Sequence, residues 1–201
     1  MQPSTIELLR DLQVPLSRLG LRWYVFGAQA LAVHGIPRHT LDVDVTVEVP
    51  QSQLGALLTL LEQAGFRLRI SEGVDSFVAQ TRVLPLFHAR TGLPMDLVLA
   101  GPGPEEEFLS RATHVDIGET RVPVVSAEDL VVLKVLSGRD KDRSDIRSVL
   151  RRQGKKLDAD VVRSRLRTLE QLVDRSDLVP EFEQLVEAYE QERRNRGKKH
   201  R

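Results

Sequence analysis

The chain of 201 residues contains no cysteine, which excludes disulfides, thiol nucleophiles and cysteine-ligated zinc. No apolar run approaches the roughly 18 residues that a membrane-spanning helix requires, so no membrane partner is expected. The first residues, Met1 to Ser4, lack the basic and apolar regions of a secretory signal. We therefore expect a soluble, cytoplasmic protein.

The net charge is zero, but the charges are unevenly distributed. Residues 138–170 carry eleven Lys and Arg against six Asp and Glu, and residues 193–201 carry six basic residues and no acid. Such a distribution is compatible with a polyanionic partner near the C-terminal half, and equally with a solvated helix surface and a basic tail. No RNA-binding motif is visible, so the basic residues alone identify no partner.

Two aspartates stand out in an otherwise apolar, β-branched run at residues 41–47. Asp42 and Asp44 are two positions apart, so in a strand both carboxylates project from one face, about 7 Å apart. The valines that alternate with them fill the opposite face. Like charges side by side in a sheet repel each other, and a cation between them removes this cost. The run therefore predicts a cation site.

The remaining pattern predicts an α+β protein. We expect helices over 5–19, 28–34 and 50–64, strands over 22–26, 41–49, 66–70 and 121–125, two or three strands within 77–99, and a short helix after the loop at 101–104. From Ser126 the pattern is helical, with a capping box at Ser126 and helices ending at Gly138 and covering 142–152, 158–174 and 178–193. The predicted organisation is an α/β core over 1–125, a helical part over 126–194, and a basic flexible tail over 195–201.

Two segments carry a family resemblance. The first is Gly27-Ala28-Gln29-Ala30-Leu31-Ala32, then His34-Gly35, then Arg38-x-Thr40-x-Asp42-x-Asp44; the second runs from Glu128 to Ile146. Together they resemble the nucleotidyltransferase superfamily related to DNA polymerase beta, over about residues 22–150. The local form is most similar to AbiEii-type and minimal nucleotidyltransferases, which are often the toxin halves of bacterial toxin–antitoxin pairs. The resemblance implies a nucleotidyltransferase fold, with a mixed β-sheet flanked by helices and a C-terminal helical part.

The resemblance implies a catalytic site with three carboxylates. Asp42 and Asp44 would be joined by Asp96, the only acid in the apolar run 94–99, and the three would hold Mg²⁺, in two ions, against a nucleoside triphosphate such as ATP. Asp96 would also accept the proton of the attacking hydroxyl. The alternative for Asp96 is a strand-end charge that faces solvent.

Four residues near the acidic run are candidates for nucleotide binding. Gly27 and Ala28 would place backbone N–H groups against the β- and γ-phosphates. The family usually has Gly-Ser or Gly-Gly there, so Ala28 offers only a backbone contact. Arg38 either pairs with an aspartate or binds substrate, and Thr40 belongs to the same nucleotide-binding motif.

The second segment contributes three basic residues that could face the nucleotide or the acceptor. Lys134 lies in an apolar helix, where it either extends to solvent or serves as a phosphate contact, and the resemblance favours the phosphate. Arg139 and Lys141 would face the phosphates or the acceptor. Asp142 and Asp145 either cap a helix or pair with neighbouring arginines.

The predicted function is transfer of a nucleoside monophosphate from an NTP to an acceptor hydroxyl. The toxin-type resemblance implies an RNA acceptor, such as a tRNA end, or a protein hydroxyl, and an antitoxin protein as partner. The alternatives are an antibiotic nucleotidyltransferase of the aminoglycoside or lincosamide kind, and a nucleotide-binding protein without catalysis.

Overall fold

The computed structural model describes residues 1–38, 40–101 and 103–199, which form seven β-strands and nine α-helices. His39 in the first motif, Pro102 in the predicted loop, and His200 and Arg201 in the predicted tail lie outside the described residues. The chain divides into two units, one made of Met1–Val33 with Pro37–Val125 and the other of His34–Ile36 with Ser126–Arg201. Each unit has buried apolar residues of its own.

The first unit is built on a mixed sheet. The strands are β1 (Trp23–Phe26), β2 (Val43–Val47), β3 (Phe66–Leu68), β4 (Val83–His88), β5 (Leu93–Leu99), β6 (Thr113–Ile117) and β7 (Thr120–Val124). They lie in the order β3-β4-β5-β2-β1-β7-β6, and the pairs β2–β5 and β1–β7 are parallel while the others are antiparallel. The helices of this unit are α1 (Pro3–Arg18), α2 (Gly27–Val33), α3 (Leu54–Gln63), α4 (Val74–Thr81) and α5 (Pro104–Arg111). The predicted α+β class and mixed sheet are confirmed.

Strand alternation puts a row of apolar core residues on one face of the central strands, and on the other face Tyr24 and Thr46 are buried as well. Val43, Val45 and Val47 of β2 are completely buried, as are Met95 and Leu97 of β5. Four leucines of α1, near helical spacing, are also completely buried, and α1 contacts α3, β5 and β7. Since successive side chains of a strand point to opposite faces, Asp44 and Asp96 project away from this core.

The sequence pattern misjudged two elements at the surface of this unit. Residues 77–81 were expected to be extended but belong to helix α4, in which no side chain is buried and Phe77 is 37% exposed. Its apolar residues therefore report no core face, and the strand prediction there is wrong. Strand β6 was not predicted; it is a short edge strand in which no side chain is fully buried and only two residues are apolar.

The second unit is helical in its described part, as predicted. It contains α6 (Ala127–Ser137), α7 (Asp140–Gln153), α8 (Ala159–Val173) and α9 (Leu178–Lys199). The Ser126 hydroxyl accepts the N–H of Asp129 at 3.1 Å, and α6 ends at Gly138 with φ of +65°. Helix α9 includes residues 195–199 of the predicted tail. None of the helices in the described ranges is both long enough and apolar enough to cross a membrane.

Candidate functional site

A row of paired residues crosses four strands of the sheet and contains two aspartates. Asp44 of β2 is the register partner of Phe26 in β1 and of Asp96 in β5, and Asp96 is the partner of Pro85 in β4. Register partners project to the same face, and adjacent strands lie about 4.8 Å apart. Asp44 and Asp96, 52 positions apart in sequence, are therefore neighbours on the face away from the core. Asp44 is half-buried and the Asp96 side chain is 43% exposed.

Asp42 lies at the entrance of β2, not within it. The predicted strand began near Leu41, but β2 begins at Val43. The Asp42 N–H donates to the Thr40 hydroxyl at 3.3 Å, and the Asp42 carbonyl accepts from the Gln29 side-chain amide at 3.4 Å. Because side chains satisfy both backbone groups of Asp42, this residue does not join the sheet ladder. Asp42 is exposed and lies two positions before Asp44 in the sequence.

Gln29 is a site residue that the sequence analysis missed. Its side chain is 5% exposed, although it lies in the first turns of α2. A buried amide needs hydrogen-bond partners, and here the carbonyl of Asp42 supplies one. Gln29 thus fixes the chain at the point where the acidic run enters the sheet. The only sequence signal was its place inside the quoted glycine motif.

Gly27 leaves room for the Asp44 carboxylate, because it has no side chain. It has φ of +64°, and a Cβ atom built on it would lie 1.9 Å from Oδ2 and 2.8 Å from Cγ of Asp44. No side chain fits in that space without displacing the carboxylate. The contact follows from the register, since Gly27 comes directly after Phe26, the partner of Asp44. Ala28, the next residue of α2, adds only a methyl group, as expected.

Arg69 is the second site residue that the sequence analysis missed. Its Nη2 contacts Oδ1 of Asp96 in an ion pair, in which the two side chains are 39% and 43% exposed. Arg69 follows β3, and its backbone N–H donates to the carbonyl of Pro85 at 2.9 Å. Pro85 is the register partner of Asp96, so Arg69 continues the same row across the sheet. The available signal was a basic residue in the predicted strand 66–70.

The paired carboxylates have the chemistry that a magnesium ion requires. Mg²⁺ prefers hard oxygen ligands and is usually bound by one or two carboxylates together with substrate phosphates. Asp44 and Asp96 offer two carboxylates on neighbouring strands. Within the described ranges, no group of three or more His, Asp or Glu side chains is arranged to hold a metal ion. The donor set therefore suits a metal that is completed by substrate, with Asp42 as the additional candidate.

In the second unit, Lys134 is the centre of a buried ionic cluster. Its ammonium lies 2.9 Å from Oδ1 of Asp142 and 2.7 Å from Oδ2 of Asp145, and it is only 7% exposed. The two aspartates are three positions apart on one face of α7. Lys134 therefore does not extend to solvent, which was one of its two predicted alternatives. The pairing with Lys134 was missed because both aspartates were assigned to caps or arginines.

Asp142 collects three donors and is ionised down to low pH. Burial by itself would raise the pKa of Asp142, but hydrogen bonds from Arg139, Lys134 and Ser137 lower it to about 2. Nε of Arg139 donates to Oδ2 of Asp142 at 2.6 Å, whereas 60% of the Arg139 side chain is exposed. The predicted pairing of Asp142 with a neighbouring arginine is thus present. The cluster joins α6 to α7, and Asp142 holds Arg139 at its Nε atom.

Comparison with known proteins identifies the family. Residues 6–196 match the family DUF6036, described as nucleotidyltransferases of unknown function. The chain belongs to this nucleotidyltransferase family. The match extends through the glycine motif, the acidic strand and the four C-terminal helices. No curated protein sequence matches the chain.

Solved structures confirm the nucleotidyltransferase fold. The solution structure of the antibiotic-resistance factor ANT(2'')-Ia is 15% identical, with 87% of this chain and 95% of that chain covered and a TM-score of 0.56. Its crystal structure in complex with adenylyl-2''-tobramycin is 14% identical, covers 84% and 98%, and has a TM-score of 0.56. An antigenic nucleotidyltransferase-like protein from Paracoccidioides brasiliensis is 21% identical, covers 88% and 90%, and has a TM-score of 0.52. At these identities the similarity shows that this chain shares their fold, and it does not extend to their acceptors.

Proposed function

We propose that this nucleotidyltransferase transfers a nucleoside monophosphate from an NTP to an acceptor hydroxyl, with Mg²⁺ held by Asp44 and Asp96 and assisted by Asp42. The observation that carries the proposal is the register pairing of Asp44 with Asp96, directly beside the backbone of Gly27. Two carboxylates on one face of a sheet repel each other unless a positive charge is near. A protein that only binds a partner has no need of this pair.

The reaction assigns a task to each group of the first unit. The acceptor oxygen forms a bond to the α-phosphorus, the bond from that phosphorus to the bridging oxygen breaks, and pyrophosphate leaves with the electron pair. Mg²⁺ supplies neutralisation of the charge that develops on the phosphate oxygens. Asp96 receives the proton of the attacking hydroxyl. The missing side chain of Gly27 leaves room for the Asp44 carboxylate, and the Gln29 amide holds the Asp42 backbone, so the carboxylates need little rearrangement.

The nucleotide-binding residues stay predictions. Gly27, Ala28, Arg38 and Thr40 are proposed to face the triphosphate, with Ala28 contributing only its N–H. Arg38 is exposed just before the acidic run, and Thr40 orients Asp42.

The same holds for the two candidates in the second unit. The Arg139 side chain is 60% exposed, and an arginine is suited to a phosphate. Lys134 is held by two carboxylates, so a phosphate contact there requires it to release one of them.

We further propose a toxin-type role, with RNA, such as a tRNA end, or a protein hydroxyl as the acceptor, and an antitoxin protein as the partner. This role rests on the sequence resemblance and on the excess of basic residues in 138–170 and 193–201. An antibiotic nucleotidyltransferase is the alternative, and it would be expected to line the acceptor pocket with acids. A nucleotide-binding protein without catalysis is the remaining alternative.

Transfer of label tests the proposal. The protein is incubated with each α-labelled NTP, Mg²⁺ and total cellular RNA, or with aminoglycoside and lincosamide drugs, and the products are separated. We expect label in RNA or protein and a loss of about 100-fold or more in Asp44→Asn and Asp96→Asn. Asp116→Asn, which changes an exposed strand aspartate in β6, is the matched control and should retain activity. Label only in a drug would favour the antibiotic branch, and nucleotide binding without any turnover would refute the enzymatic proposal.

A further inference from the structure

Arg69 holds the position in which a cation meets Asp96. Its Nη2 contacts Oδ1 of Asp96, and both side chains lie at the surface of the sheet face that carries Asp44. We infer that Arg69 competes with the metal for Asp96, an inference that rests on the metal site proposed above. Its guanidinium occupies Asp96 until a divalent ion displaces it.

The sheet register explains why Arg69 reaches Asp96. The N–H of Arg69 binds the carbonyl of Pro85, and Pro85 pairs with Asp96 on the next strand. Arg69 and Asp96 are therefore two strands apart, about 9.5 Å, on the same row. The residue between them is a buried proline with a short ring, so the long side chain of Arg69 crosses it to the carboxylate. The hydrogen bond between the Arg69 N–H and the Pro85 carbonyl fixes the backbone from which the side chain extends.

Charge arithmetic makes the two cations exclusive at this oxygen. A carboxylate offers two oxygens, and Nη2 of Arg69 contacts Oδ1 of Asp96. A guanidinium within about 4 Å of a divalent ion repels it by an amount equivalent to about 30-fold in affinity in water, which physiological salt reduces to about tenfold. Binding of the metal at Asp96 therefore either displaces Arg69 from Oδ1 or takes place against the charge of Arg69, and in both cases the metal affinity of the nucleotide-free protein is lowered.

The exchange gives the site a dependence on substrate. With no triphosphate present, Arg69 neutralises Asp96 and the carboxylate pair is stable without metal. A metal that arrives together with triphosphate brings additional oxygen ligands, and these offset the loss of the Arg69 contact. Arg69 is thus a positioning residue that favours entry of the metal as a complex with the nucleotide over entry of the bare ion.

The test measures binding of Mn²⁺ alone, without nucleotide, by isothermal titration calorimetry and by water-proton relaxation. Arg69→Gln should bind Mn²⁺ about three- to tenfold more tightly than the wild type, and Arg69→Lys should lie between them. The matched control is Arg67→Gln in β3, two residues before Arg69, since Arg67 donates to the carbonyls of Glu62 and Phe66. It should leave the affinity unchanged.

A double-mutant cycle locates the effect at Asp96. In an Asp96→Asn background, Arg69→Gln should no longer increase the Mn²⁺ affinity, because the shared carboxylate is gone. Equal or weaker Mn²⁺ binding by Arg69→Gln, with binding still dependent on Asp44, would overturn the competition but leave the metal site intact. Absence of Mn²⁺ binding in the wild type and in Arg69→Gln alike would overturn both proposals. The exposed ion pair contributes little to stability, so the variants should remain folded.

Discussion

Replacing Gly27 by alanine separates backbone strain from damage to the site. A Cβ atom at position 27 would lie 1.9 Å from Oδ2 of Asp44, and the φ of +64° is unfavourable for alanine. Gly20 provides a matched control. It has φ of +65°, and a Cβ atom there would meet nothing within 4 Å. Both substitutions impose a similar backbone cost, and only the change at position 27 moves the carboxylate.

The expected magnitudes follow from these distances. A left-handed conformation for alanine costs about 1–2 kcal/mol at either position. Ordinary contact begins at 3.4 Å, so Oδ2 of Asp44 must move by about 1.5 Å in Gly27→Ala. Misplacement of a reacting group by about 1 Å can lower a rate 100-fold. We therefore expect Gly20→Ala to lose stability alone, and Gly27→Ala to lose about 100-fold in the rate of nucleotidyl transfer as well.

Two measurements on each variant check this prediction. Urea denaturation gives the unfolding free energies, and transfer of label from an α-labelled NTP gives the rates under conditions in which both proteins are folded. Mn²⁺ binding shows whether the loss in Gly27→Ala reaches the metal site. If Gly27→Ala transferred label at the rate of Gly20→Ala, the proposal that activity needs the space beside the Asp44 carboxylate at position 27 would be wrong.

Three other predictions concern buried ionisable groups. The pKa of Asp142 is lowered from 3.8 to about 2, so ionised Asp142 should add about 2 kcal/mol to the unfolding free energy above about pH 4. This contribution should be lost as the pH falls to about 2, and an unfolding free energy that stays constant over this range in urea denaturation would contradict the prediction. Lys134→Met leaves Asp142 and Asp145 buried without their ammonium, so the unfolding free energy should fall by about 3–5 kcal/mol, and a loss below 1 kcal/mol by urea denaturation would refute the cluster. Burial lowers the pKa of His88 from its ordinary 6.5, so stability should fall as the pH drops below about 6.5, and His88→Asn should remove that part of the pH profile.

Local patterns predicted what depends on neighbours in sequence. The alternation of valines predicted which residues of β2 are buried, and the Ser126 cap predicted where α6 begins. The same reasoning failed at residues 77–81, because Phe77 and Val78 read as strand residues although α4 covers no core. Apolar periodicity predicts a helix or a strand only where one face of the element is buried.

The contacts that complete the site depend on pairing between distant segments. The alternation in β2 fixes the face of Asp44, but the pairing of β2 with β5 brings Asp96 to it, and no local signal specifies that pairing. Asp96 was identified through the family resemblance. Arg69 had no such support, since a long side chain at a strand end reaches many places and only the register with Pro85 determines which.

The structure also changes the reason for expecting a cation in this sheet. Two carboxylates on one face of a strand repel each other, and this repulsion was the reason to expect a positive charge between them. In the folded chain part of that charge is supplied by the protein, since the Arg69 guanidinium pairs with Asp96. An acidic pair can therefore persist before any metal arrives. The repulsion alone does not demand a permanently bound ion, and the site is better suited to a metal that enters with the nucleotide.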